Sequence, residues 1–256
     1  MTTASRGIQS IEVGGRVLSA LVRTASPMML KDLALAADLT PAQVHAYLTS
    51  YRRAGLVEQD DRTGHYRIGP LAFRLGTSRI RSVPILEETS RTVTRLSSEL
   101  GLMAIMVCWG PHGPTAVQVQ DSPVPMNLNI KQGTLFSVTG TASGHVFAAF
   151  SDEPSLATRI AAELDEGAGE SAGMPLPVSF TALVERVRSQ GYADIAGLPI
   201  PGMHAVSAPV RDASGDVVAA VTLVGSGESL NRRLGTAVVQ ALLAATAALS
   251  GGTRPA

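Results

Sequence analysis

The sequence predicts an α+β protein of two domains, a small helical unit closed by a β-hairpin followed by an antiparallel sheet flanked by helices. Three observations predict it. The chain has 256 residues, long for one compact core and comfortable for two of roughly 80 and 170. Apolar residues make up 45% and charged residues only 16%, which supports real cores rather than disorder. Net charge is zero but unevenly shared. Residues 1–81 hold eleven Arg and Lys against six acids, and the remainder ten against fifteen. A basic segment on an acidic body suits a polyanion-binding module joined to a separate sensor.

In the first unit, residues 8–22 place Ile11, Val17, Leu18, Leu21 and Val22 close to helical spacing. Gly14 and Gly15 interrupt this helix, each weakening it by about 1 kcal/mol relative to Ala. Residues 30–37 form a second short helix with Leu30, Leu33, Ala34 and Ala37 on one face, and Asp38-Leu39 make a tight connection. Thr40-Pro41-Ala42-Gln43 then opens a third helix. Thr40 caps it, Pro41 suits the first helical position, and Gln43 completes a capping box. Val44, Tyr47, Leu48 and Tyr51 face the core. The opposite face carries Ala42, Gln43, His45, Ala46, Thr49, Arg52 and Arg53. Two helices across a turn of about three residues, the second with such a face, make a helix-turn-helix. Gly55 ends the third helix. Residues 56–59 and 65–68 read as strands joined by Asp60-Asp61-Arg62-Thr63-Gly64, a hairpin that forms a wing.

This face has the chemistry of duplex recognition. Gln43 suits bidentate hydrogen bonding to adenine, and His45 suits guanine or phosphate. Lys31, Thr49, Arg52 and Arg53 suit backbone phosphates, and Arg62 a contact from the wing tip. The alternative for each exposed Arg is a solvated surface, and for Gln43 capping alone.

Residues 70–80 read as a helix leading out of the wing, and Pro84 marks a break. Residues 85–100 are amphipathic, with Ile85, Val93, Leu96 and Leu100 on one side. Strands follow at 102–109 and 115–120, with a further strand at 126–130. Helices are expected at 140–150 and 180–190, strands at 204–210 and 217–224 across the turn Asp212-Ala213-Ser214-Gly215, and an Ala-rich helix at 230–250. Residues 1–7 and 250–256 read as frayed termini. The expected boundaries are a DNA-binding domain at 8–75, a linker helix at 76–84 and the body at 85–250.

Several classes are excluded. Cys108 is the single cysteine; it rules out an intrachain disulfide, reads as a small buried hydrophobe, and makes a reducing cytoplasm the expectation. No apolar stretch reaches the ~18 residues a membrane span needs, and no export leader opens the chain. The five histidines are scattered without metal-ligand spacing. A hydrolase built on Ser143 with His145 or His204 lacks both a nucleophile elbow and an acid to orient the base. Gly225-Ser226-Gly227 is too short for a nucleotide fingerprint. The chain is not expected to be an enzyme or to need a cofactor.

The run AQVHAYLTSYRRAGLVEQDDRTGHYRIGPLAFRLG resembles the winged helix of IclR-type regulators, and Ile8-Gln9-Ser10-Ile11 is similar to that family's start. Ala42-Gln43 stand where Ser-Thr is usual, Ala46 where Arg is usual, and Val13 where Arg is usual. In the body, Thr141-Ala142-Ser143-Gly144-His145 resembles the family's Ala-x-Gly-Lys helix start. Gly191-Tyr192, Gly202, Ala208-Pro209-Val210, Gly215 and Ala219-Ala220-Val221 match its C-terminal signature. The resemblance implies a GAF-like α/β effector domain behind the winged helix-turn-helix and linker helix, and assembly as dimers or dimer pairs.

It also implies a pocket, and transfers it residue by residue. The helix start offers Thr141, Ala142 and Ser143. The family's acidic positions become Ile195 and Leu198, its Cys becomes Ala205, and Ser207, Thr222 and Val224 complete the strands. Met103, Ile105, Met126 and Leu128 either line the pocket or pack in the core. A pocket so depleted of charge suits an apolar or aromatic carboxylate held by amides at a helix N-terminus, rather than a small, multiply charged keto acid. The expectation is a ligand-responsive regulator on a palindromic double-stranded DNA operator, cytoplasmic and homodimeric or homotetrameric, with a small-molecule effector and no membrane association. A second reading keeps DNA binding and makes the body an oligomerisation scaffold.

Overall fold

The computed structural model describes residues 7–24, 26–123, 128–170, 180–197, 200–227 and 237–251. The chain divides between Ser82 and Val83 into two compact units.

In the first unit, α1 (Gln9–Thr24), α2 (Leu30–Ala37) and α3 (Pro41–Ala54) precede β1 (Val57–Gln59), β2 (Tyr66–Ile68) and α4 (Pro70–Ser82). Its core joins Val17, Ala20 and Leu21 of α1, Leu33, Ala34 and Ala37 of α2, and Val44 and Leu48 of α3 to Val57 and Tyr66 of the hairpin. Gly14 is a packing residue rather than a flaw in α1. A Cβ there meets the Tyr51 hydroxyl and the Tyr47 ring, so its absence lets α1 lie close against α3. Asp38 turns the chain between α2 and α3 in the left-handed region, φ 53°. Arg16 and Arg23 of α1 donate to the carbonyls of Asp38 and Ala36 at the end of α2. Cations there complement the negative helix end.

The second unit opens with α5 (Pro84–Leu100), β3 (Met103–Gly110), β4 (Gly113–Gln120), α6 (Ala142–Phe150) and α7 (Leu156–Glu170). It continues with α8 (Phe180–Gln190), β5 (Ala193–Ala196), β6 (Met203–Arg211), β7 (Val217–Ser226) and α9 (Ala237–Gly251). The strands form one antiparallel sheet in the order β4-β3-β7-β6-β5. Helices α5 and α9 pack on one face, and α6, backed by α8, on the other. The core on the α6 side gathers Met103, Ile105 and Val107 with Ala142, Val146 and Phe147.

Four expectations change. No strand forms at 128–130, because β4's outer edge is taken by residues 133–136. The amide of Ala116 donates to Thr134, and those of Gly133 and Phe136 donate back to Ala116 and Pro114. Cys108 is only partly buried, two residues from the hairpin end at Gly110. Helix α7 and edge strand β5 were not foreseen. The last helix runs to Gly251, past the expected fray at Ser250, while its expected start at 230 lies outside the described residues, as do Met126 and Leu198.

Candidate functional site

The outward face of α3 is built by its own first turn. Thr40 accepts from the Gln43 amide at 3.3 Å, and the Gln43 side-chain oxygen accepts from the Thr40 amide at 3.0 Å. It also accepts from the Thr40 hydroxyl at 2.9 Å. Ala42, Gln43, His45, Ala46 and Arg53 are exposed on this helix, and Lys31 is exposed on α2. Thr49 is half-buried and donates its hydroxyl to the His45 carbonyl. The wing tip is preformed. The Asp60 carboxylate accepts from the amides of Thr63 and Arg62 at 2.9 Å each, which hold its carboxyl below the usual range and leave Arg62 exposed.

The basic residues divide in two. Arg16, Arg23, Arg52 and Arg67 are committed internally, to Asp38, Ala36, Gln59 and Glu58 respectively. Arg52 therefore ties α3 to the hairpin instead of presenting a free phosphate ligand. The side chains of Lys31, Arg53 and Arg62 have no hydrogen bond or ion pair among the described residues.

In the second unit, strand register brings the expected effector residues together. Met103, Val224, Ala205 and Ile195 pair in succession across β3, β7, β6 and β5. Two positions along, Ile105, Thr222, Ser207 and Ala193 make a parallel row on the same face. Ser207 and Thr222 hydrogen-bond each other at 2.9 Å and are buried. Leu128 packs at the margin of this core. Above it, α6 starts at Ala142 with Thr141 capping the Gly144 amide at 3.1 Å. A helix leaves its first amides without intrahelical partners, and here those are the amides of Ala142 and Ser143. Both residues are buried. The arrangement is thus an apolar layer, buried at Met103, Ile105 and Val224 and half-exposed at Ala205 and Ile195, with hydroxyls on the sheet and donors at one helix start. Two open clefts lie elsewhere. One of about 370 Å³ runs between α5 and α9 past Arg91 and Arg95, and one of about 350 Å³ lies beside the wing at Asp60 and His65.

A second shell of polar residues escaped the sequence reading. Glu163 on α7 accepts from the amides of Val138 and Thr139 at 3.1 and 2.9 Å and from the hydroxyls of Ser137 and Thr139 at 2.7 and 3.0 Å. Arg159 donates to it at 2.9 Å. Burial pushes the Glu163 carboxyl up, but the Thr139 amide, the Ser137 hydroxyl and the Val138 amide together hold it below its usual value. His145 bonds through Nε2 to the Thr139 carbonyl at 2.8 Å. Burial pushes its imidazole down, against the opposing pull of that carbonyl, so the ring is neutral. The i,i+4 pair Arg159–Glu163 was the available signal, and it marks helices generally rather than a loop clamp.

Among the described residues no cluster of three or more His, Cys, Asp or Glu can hold a metal, and no helix is long and apolar enough to cross a membrane.

Known proteins decide the family. The profile of the bacterial transcriptional regulator IclR C-terminal domain matches residues 77–251, and that of the IclR helix-turn-helix domain matches residues 10–61. The chain belongs to the IclR family. Like other IclR proteins it is a transcriptional regulator with a helix-turn-helix DNA-binding domain and a C-terminal effector domain, not an enzyme. The glycerol operon regulatory protein of Streptomyces coelicolor is 28% identical over 235 residues, covering 89% of each chain. Pseudomonas aeruginosa HmgR, a solved structure, is 31% identical with a TM-score of 0.59, covering 96% of this chain and 98% of its own. An IclR homolog from Microbacterium hydrocarbonoxydans, solved in complex with 4-hydroxybenzoate, shares the IclR fold at TM-score 0.70. It is 14% identical, covering 94% of this chain and 98% of its own.

Proposed function

We propose that this regulator binds a palindromic double-stranded DNA operator and responds to a small apolar or aromatic carboxylate. It acts in the cytoplasm as a homodimer or dimer of dimers. Residues 8–75 bind DNA, 76–84 link, and 85–250 hold the effector and the oligomer. The observation that carries the reading is the pair of cross-strand rows beneath α6, whose lining has lost its charges while two helix amides remain to receive an anion. The 4-hydroxybenzoate held by the Microbacterium homolog supports an aromatic acid as the ligand class.

On DNA, the Gln43 oxygen stays with Thr40 and its NH2 group donates to adenine N7, His45 contacts guanine or phosphate, and Ala42 and Ala46 leave room at the bases. Lys31, Arg53 and Arg62 hold the phosphates, while Thr40 and Thr49, expected beside them, spend their hydroxyl protons on Gln43 and the His45 carbonyl. A carboxylate that binds one arrangement of the body better than another biases the spacing of paired winged helices. The test is binding to a randomised duplex library and titration calorimetry with aliphatic and aromatic acids. Selection of an inverted repeat, and heat on binding an aromatic acid, are expected. A lone half-site as the selected sequence sinks the palindrome, and silence across all acids favours a body that only oligomerises.

A further inference from the structure

His145 is 3% exposed, and its two ring nitrogens have different fates. Nε2 faces the Thr139 carbonyl at 2.8 Å, and a carbonyl only accepts, so Nε2 carries the proton. The neutral ring then presents Nδ1 as an acceptor. That atom is buried with no hydrogen-bond partner. The ring meets Phe180 of α8 edge-on at 5.9 Å, and the charges of Arg186 on α8 and Asp194 on β5, paired with each other at 3.7 Å, both act on it. Burying an acceptor without a donor is unfavourable, so the site favours any ligand that brings one. The other polar groups on this side are already assigned. Ser207 and Thr222 bond each other, Thr141 caps α6, and the free amides of Ala142 and Ser143 are donors suited to an anion. His145 Nδ1 is the acceptor left over, one helical turn along from those amides.

We infer that His145 Nδ1 is an effector subsite for a hydrogen-bond donor, so that the effector is a carboxylate bearing an O–H or N–H group rather than a plain acid. This rests on the carboxylate reading of the α6 start and narrows it. The carboxylate sits at the amides of Ala142 and Ser143, the apolar body lies over Ile105 and Val224, and the hydroxyl or amine reaches His145. A hydroxyl bonded there is discriminated from its methyl ether because the ether leaves Nδ1 unpaired and adds bulk to a packed core.

Calorimetric titration of the full-length protein with 2-, 3- and 4-hydroxybenzoate, each beside its O-methyl ether, tests this. The best-fitting hydroxy acid is expected to bind at least about tenfold tighter than its ether. His145→Gln keeps a donor near the Nε2 position for the Thr139 carbonyl but lacks the Nδ1 acceptor, and should shrink that ratio to about threefold or less. Equal binding of acid and ether to the unaltered protein overturns the subsite whether or not the variant folds. An undiminished ratio in a folded His145→Gln overturns it too. If no benzoate binds, the carboxylate reading falls and the subsite falls with it, an outcome distinct from binding without discrimination.

Discussion

Glu163 shows how much one side chain can organise. Its carboxylate receives two amides and two hydroxyls from residues 137–139, the segment that delivers the chain into α6. Hydrogen bonds to a charged group contribute about 1.5–3 kcal/mol each at most, and shared acceptors less. Glu163→Gln should therefore destabilise the second unit by about 2 kcal/mol, measured by denaturant unfolding at pH 7. The pH dependence has a definite sign. A carboxyl whose folded value is depressed stabilises the fold above its unfolded value, and that contribution is lost as pH falls through the folded one. The unaltered protein should thus lose more stability than Glu163→Gln on moving from pH 7 to pH 4; equal losses refute the clamp. The sequence announced none of this, because a loop-binding acid on a helix has the same local pattern as a solvent-facing ion pair. By contrast the Thr40–Gln43 box was legible from four letters, since both partners lie within one turn.

Elements were legible where their signals are local. Helices α2 and α8 match the expected spans, 30–37 and 180–190, and α3 is bounded by its cap and Gly55. Strand β5 was missed because four residues, Ala193–Ala196, at a sheet edge carry too short a pattern. Of the expected strand at 126–130, the described residues 128–130 form none, and it is residues 133–136 that lie along the edge of β4, a pairing no local pattern announces. Gly144 makes the same point about packing. A Cβ there overlaps the Ser137 carbonyl and reaches 2.5 Å from Val138 Cα, both backbone. Gly144→Ala should push the 137–139 segment off α6, at a cost of about 1–3 kcal/mol, and weaken aromatic-acid binding at the adjacent amides. Unchanged stability and unchanged calorimetric affinity in that variant contradict the close approach. The strand residues expected to line the effector site, Met103, Ile105, Ile195, Ala205, Ser207, Thr222 and Val224, share one face because alternation puts them there, a period-2 fact the sequence does carry. That the rows are buried at Met103, Ile105 and Val224 is a matter of how α6 seats, which no local pattern encodes.

At the scale of the whole molecule, each unit has its own core, one around Leu48 and one around Phe147. The chain's single tryptophan, Trp109, lies in the second unit beside Phe147 and bonded to Ser155. Its fluorescence therefore reports that unit alone. Leu48→Ala should cost the first unit about 2–5 kcal/mol and abolish operator binding, while the Trp109-monitored transition stays in place. A matching shift of that transition shows that the two units unfold as one. The basic charge of the first unit is divided, with Arg16, Arg23, Arg52 and Arg67 bonded within it and Arg53 and Arg62 exposed. The capping box carries a consequence for descent. Gln43 fastens the first turn of the helix whose surface it also supplies, so a lineage that duplicates this gene cannot vary that position freely to acquire new promoters. Most exchanges there loosen α3. If the face reads DNA as proposed, divergence is channelled through Glu, which keeps the cap and favours cytosine, or through His45 and Ala46, whose side chains fasten nothing among the described residues.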